Sequence, residues 1–162
     1  QIRLDMTRDG LRIQIVDESN RPMFSSGSAV VQPYMRELLR EIGTVLGEVP
    51  NRLTLEGHTD AQPFSAGERG YSNWELSSDR ANASRRELVA GGLADDRVLR
   101  VQGLASSQPF DLADPAAASN RRISIIVMNR DAEDRMFRTA PEVAQALGAE
   151  AAAAALLPAA GQ

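Results

Sequence analysis

The chain has 162 residues, is 43% hydrophobic, and sets 18 basic against 22 acidic side chains for a formal charge of −4. That is enough apolar sequence for one core with an appendage, and the acidic balance speaks against a nucleic-acid partner, whose phosphates are bound by clustered cations. With no cysteine and one histidine, a disulfide scaffold, a thiolate metal site and a zinc site all lack their ligands, so neither metal nor cofactor is expected.

The chain opens on Gln1-Ile2-Arg3-Leu4, which reads as the interior of a longer protein, with any export signal or membrane anchor upstream. No run approaches the ~20 apolar residues of a membrane-spanning helix. Ile2 to Val16 predicts a β-hairpin. Ile2, Leu4 and Met6 alternate with polar residues, as do Leu11, Ile13 and Ile15, and Asp9-Gly10 between them is a turn dipeptide. Asp17 to Gln32 is a polar loop holding Met23-Phe24. Phe24 either plugs the core beneath the loop or lines a site wall.

Pro33 suits the first turn of a helix. Met35, Leu38, Leu39, Ile42, Val45, Leu46 and Val49 then keep helical spacing up to the stop at Pro50-Asn51. Arg52 to Gly57 predicts a strand, with Gly57 supplying freedom to turn. The Ala61–Ser72 loop is long for a strand-to-helix connection, and such loops are usually functional. Ser72 or Asn73 caps the next helix, in which Trp74, Ser77, Ala81, Ser84 and Leu88 form one stripe and Leu76, Arg80, Ala83 and Glu87 its neighbour. Gly91-Gly92 ends it.

Val98 to Gly103 is a further strand. Leu104 to Ser119 is a loop with room for one helical turn. Ile123 to Met128 is a near-continuous β-branched run, which predicts a strand buried on both faces. Residues 1–130 therefore form one α/β domain, an α+β sandwich. Its mixed sheet has an N-terminal hairpin and two main helices on one face, and its two strand–helix–strand units cross over right-handed. Residues 131–162 form an Ala-rich, partly helical tail outside the core.

Three groups of residues carry candidate chemistry. His58 beside Asp60 lacks the second histidine or cysteine a metal would need, and no Gly-x-Ser-x-Gly elbow supports a hydrolase, so His58 is read as hydrogen-bonding locally. Every cation is arginine, so there is no phosphate-loop lysine. Asp60 at a strand end and Arg80 in the following helix are either a structural ion pair, worth ~0–1 kcal/mol if exposed, or a reader of a group bearing both ammonium and carboxylate. An arginine fork suits the carboxylate and Asp60 suits the ammonium. Of Arg121 and Arg122, alternation sends one to each side of a strand. One of them braces a loop or adds a second cation to the site.

Gly57-His58-Thr59-Asp60, Asn73-x-x-Leu76-Ser77-x-x-Arg80-Ala81 and Asn120-Arg121-Arg122-Ile123, in this order and spacing, resemble the signature of OmpA-like peptidoglycan-binding domains. The likeness runs over about residues 20–129. Gly67 to Ser77 and Asp79 to Leu88 are similar to the flagellar-motor stator branch of that family. The resemblance implies non-enzymatic, non-covalent binding of peptidoglycan that anchors the stator to the cell wall. Asp60 and Arg80 would hold the diaminopimelate of the stem peptide, and Thr59, Asn73, Leu76, Asn120 and Arg121 would make secondary contacts. It further implies a periplasmic domain of an inner-membrane protein, a homodimer, and partnership with MotA in the intact stator. The runner-up is the same module in an outer-membrane porin or a peptidoglycan-associated lipoprotein. A cell-wall hydrolase is the reading from another class, and no nucleophile or metal set supports it.

Overall fold

The computed structural model describes residues 1–18, 20–64, 70–137, 145–149 and 154–156. The expectations placed on Gly67, Glu68 and Arg69, and on most of the Ala-rich segment, lie outside the described residues. Five strands, β1 (Ile2–Thr7), β2 (Gly10–Val16), β3 (Leu53–His58), β4 (Val98–Gly103) and β5 (Arg122–Met128), form one sheet in the order β1-β2-β5-β3-β4. The helices are α1 (Pro33–Gly47), α2 (Asn73–Gly91) and α3 (Arg130–Phe137). β5 pairs antiparallel with both β2 and β3, and β4 continues the sheet parallel to β3. β2 and β3 therefore run parallel to each other with β5 between them. The fold is the expected mixed sheet, in which α1 carries the chain from β2 to β3 and α2 carries it from β3 to β4.

The core lies between the sheet and the first two helices. Ile13, Ile15, Leu53, Leu55, Ile123 and Ile125 point from the three central strands onto Met35, Leu39 and Leu46 of α1 and Ala83 and Leu88 of α2. Each such Ile, Leu or Met side chain, fully buried, contributes about 1.5–3 kcal/mol. The apolar stripe read along α1 is wider than the one the fold uses, because Val45 is 63% exposed. On α2 the buried set is Leu76, Ser77, Arg80, Ala81, Ala83, Ser84 and Leu88, while Trp74 faces solvent.

Two glycines act differently from expectation. The hairpin turn is at Arg8-Asp9, since Thr7 already pairs with Gly10. Neither turn residue has a positive φ, and the Asp9 N–H donates to Thr7 Oγ1 at 3.2 Å. Gly10, at φ +140°, opens β2, and a Cβ there would stand 2.1 Å from the Val127 carbonyl oxygen. Gly57 is needed for close approach and not for turning: a Cβ would meet the Ser77 carbonyl oxygen at 2.1 Å, so α2 lies directly on β3.

β5 is buried on both faces, but its second face is polar. Gln14, Thr54, His58, Arg122 and Ser124 are all buried there. Arg122 Nε donates to Gln14 Oε1 at 3.0 Å and its Nη2 to the Gln108 carbonyl at 2.7 Å, which ties the 104–119 loop over this face. The expected helical turn of that loop is a short 3-10 helix at Ala118–Asn120. The segment read as a tail outside the core begins with a helix seated on the sheet. Ala132 of α3 is buried, and Glu133 Oε1 accepts the Arg52 N–H at 2.8 Å.

Candidate functional site

The sheet order brings three chain crossings to one edge. β2 and β3 end where β5 begins, and Val16 and His58 are both in register with Arg122. The residues just beyond those strand ends, Asp17, Thr59 and Asp60, therefore flank Arg121, which immediately precedes β5. Arg121 Nε donates to Asp17 Oδ2 at 2.8 Å and Nη1 to Asp60 Oδ2 at 2.7 Å. The second oxygen of each acid holds its own loop. Asp17 Oδ1 accepts the Met23 N–H at 2.6 Å, and Asp60 Oδ1 accepts the Gln62 N–H at 3.0 Å. Burial alone would lower the Arg121 pKa, but the hydrogen bonds it donates to Asp17 and Asp60, with the charges of those acids, outweigh it and leave it raised.

Arg80 reaches the same edge from α2. A capping box between Ser72 and Glu75 fixes the start of that helix, and the contact at Gly57 fixes its height over β3. Arg80 Nε donates to the Ser28 carbonyl at 2.8 Å and Nη2 to the Ser25 carbonyl at 3.4 Å. Its Cζ stands 5.0 Å from the Phe24 ring centroid, a cation–π contact. The residue is only 8% exposed, and burial pulls its pKa down. Among the described residues no carboxylate pairs with Arg80. The ion-pair reading of Asp60 with Arg80 is thus corrected: Asp60 pairs with Arg121, and Arg80 rests on loop carbonyls and an aromatic face.

Between these groups lies a cleft of about 560 Å³, within the size range of small-molecule sites. Phe24, Thr59, Asp60, Asn73, Leu76, Arg80 and Arg121 all line it. Phe24 satisfies both of its readings, being 5% exposed in the core cluster and part of the wall. Leu76 adds an apolar surface. Asn73 Nδ2 donates to the Gln62 carbonyl at 2.8 Å, and the Thr59 N–H donates to the Ala105 carbonyl at 2.9 Å. Asn120 is not brought to the cleft. It is fully buried, with Oδ1 accepting the Asp111 N–H at 2.7 Å and Nδ2 donating to the Asp114 carbonyl at 2.9 Å. Its loop reaches the site at one remove, where the Ala61 N–H donates to the Pro115 carbonyl at 2.9 Å. Of the two arginines before β5, Arg121 is the one at the cleft and Arg122 braces the loop behind the sheet.

Reading the chain missed Asp17, Pro63 and Phe64, which also line the cleft. A signal for Asp17 existed, since it follows β2 as Asp60 closely follows β3. His58, by contrast, points to the polar face, with Nε2 3.4 Å from Glu56 Oε2 and Nδ1 unpartnered. The described lining holds two acids and two arginines, a net charge of zero that suits a zwitterion. Among the described residues no cluster of His, Cys, Asp or Glu could hold a metal, and no helix is long and apolar enough to cross a membrane.

The chain belongs to the OmpA family, whose profile matches residues 23–122. It is a homologue of Motility protein B of Escherichia coli strain K12, with 55% identity over 136 residues, 84% of this chain and 44% of that protein. The chain thus spans less than half the length of this curated relative. The fold is shared with the periplasmic domain of Helicobacter pylori MotB, at a TM-score of 0.68 and 18% identity, covering 91% of this chain and 93% of that one. It is likewise similar to the cell wall anchor of the T6SS from Pseudomonas aeruginosa, at a TM-score of 0.65 and 28% identity, covering 80% and 88%.

Proposed function

We propose that this domain binds peptidoglycan without covalent chemistry and so anchors a flagellar-motor stator to the cell wall. In this reading Asp60 takes the ammonium and Arg80 the carboxylate of the stem peptide's diaminopimelate. Thr59, Asn73, Leu76, Phe24 and Arg121 surround them, and Asn120 holds the loop behind. The observation that carries the reading is Arg80: a buried guanidinium, fixed by two carbonyls and a ring, with no carboxylate partner among the described residues, on a cleft that also holds Asp60. A buried cation without a counter-ion is costly unless a ligand supplies one.

The proposal extends to the rest of the assembly, for which the homology to Motility protein B is the support. It comprises a periplasmic location, a homodimer, MotA as the stator partner and a membrane anchor upstream. The same module in an outer-membrane porin or lipoprotein would use the same cleft. The 55% identity to a motility protein favours the stator. Sedimentation with purified sacculi tests the proposal. Wild type should pellet, and Asp60→Ala and Arg80→Ala should stay in the supernatant while keeping their fold. Equal pelleting of all three would remove both residues from the site.

A further inference from the structure

We propose that Asp17 is a positioning residue of this site: by sharing the Arg121 guanidinium it prevents Arg121 from neutralising Asp60, and so keeps Asp60 available to a ligand ammonium. The inference rests on the peptidoglycan-binding reading, because it assumes a ligand with an ammonium group. Asp17 lies outside the residues 23–122 that the family profile matches, in the loop leaving β2.

Arg121 presents two separate N–H groups to two separate acids, Nε to Asp17 Oδ2 at 2.8 Å and Nη1 to Asp60 Oδ2 at 2.7 Å. An arginine fork facing one carboxylate closes on it through two parallel bonds. Here the fork is split, so the Asp17–Arg121–Asp60 cluster keeps a net charge of −1 toward the cleft it lines. Arg80 faces that cleft with the opposite charge. The site is therefore divided into a negative half and a positive half, as a zwitterion requires.

Asp17 also reaches the positive half. Its Oδ1 accepts the Met23 N–H at 2.6 Å, one residue before the Phe24 ring against which Arg80 lies. The carbonyls of Ser25 and Ser28 that hold Arg80 belong to the same loop. At 7% exposure the Asp17 carboxylate is held in place by both loop and guanidinium.

Two roles are separable by experiment. Asp17→Asn keeps an oxygen for the Met23 N–H but removes the charge that restrains Arg121, which can then close on Asp60. Calorimetric titration would use a diaminopimelate-containing stem tripeptide and the same peptide acetylated on its free side-chain-end amine. For wild type the free amine should bind far more tightly. Asp17→Asn should weaken binding of the free peptide about 10-fold or more and narrow the gap between the two peptides, while still unfolding cooperatively at a melting temperature lowered by a few degrees. The double variant Asp17→Asn/Arg121→Gln should widen the gap between the two peptides again relative to Asp17→Asn, because Asp60 is again unopposed. If Asp17→Asn matches wild type, if it weakens both peptides equally, or if the double variant shows no wider gap than Asp17→Asn, Asp17 does not tune the ammonium half and the proposal fails. Absence of wild-type binding to either peptide would instead overturn the peptidoglycan reading, and this inference with it.

Discussion

Asp17 and Asp60 accept hydrogen bonds from one guanidinium, that of Arg121, at 2.8 and 2.7 Å. The relationship is dictated by strand order. β5 lies between two strands that run opposite to it, so the residue before β5 meets the residues after both neighbours. Removing Arg121 would leave two nearly buried carboxylates without their shared counter-charge. Arg121→Ala should therefore destabilise the fold by about 2 kcal/mol or more, a charge-assisted pair lost together with its desolvation balance. Urea unfolding measures this directly, and a shift within ±0.5 kcal/mol would show the bridge to be incidental.

Arg80→Lys separates charge from geometry. Lysine keeps the positive charge but cannot reproduce the planar fork that donates to the Ser28 and Ser25 carbonyls while lying against Phe24. Sacculus binding should fall about tenfold, the loss of one charge-assisted hydrogen bond of ~1.5 kcal/mol. Melting temperature should drop by only a few degrees. Retention of full binding would show that a point charge is sufficient at this position.

Gly57→Ala tests the contact that sets the height of α2. Its Cβ would stand 2.1 Å from the Ser77 carbonyl oxygen, a clash with backbone that no rotamer relieves. Displacing α2 from β3 should cost about 1–3 kcal/mol, in the range of overpacked cores. It should also weaken binding, because Arg80 sits one turn beyond Ser77. A variant as stable as wild type would mean that α2 can slide on the sheet.

Much of this site was legible from residue type and spacing. Asp60 could be chosen because it follows a strand and precedes a long polar loop, and Arg80 because helical spacing sets it near the packed face of the next helix; alternation left Arg121 and Arg122 open, and the family resemblance picked Arg121. The hairpin and β5 were legible because strict alternation and a β-branched run leave little choice of structure. What could not be read was the order of strands. Without the knowledge that β5 inserts between β2 and β3, nothing places Asp17 next to Arg121. Nothing shows either that Asp60 and Arg80 each have other partners. Trp74 is a second case. Helical spacing put it on the stripe of Ser77 and Ala81, but Trp74 is 53% exposed while Leu76 and Ser77 beside it are buried.

The polar face of the sheet makes stability pH-dependent through His58. The imidazole is buried, and that burial lowers its pKa, against the opposing hydrogen bond to Glu56; Arg122 and Arg12 add to the lowering. Its Nε2 lies 3.4 Å from Glu56 Oε2 and its Nδ1 has no partner, which suits the neutral ring with the proton on Nε2. Because the folded pKa lies below the ordinary value, the unfolded chain takes up the proton first as pH falls. Stability should therefore be full above about pH 6.5 and decline on acidification below it, by at most ~1.4 kcal/mol per pH unit from this one group. Glu56 contributes a separate, lower window. Its pKa is held down chiefly by the His58 hydrogen bond, so the stability it contributes is lost as pH falls below the ordinary glutamate value of 4.5. His58→Gln can still donate to Glu56 but cannot titrate. Urea midpoints measured from pH 7.5 to 5 should fall for wild type and stay level for His58→Gln, and parallel curves for the two proteins would exclude His58 as the titrating group.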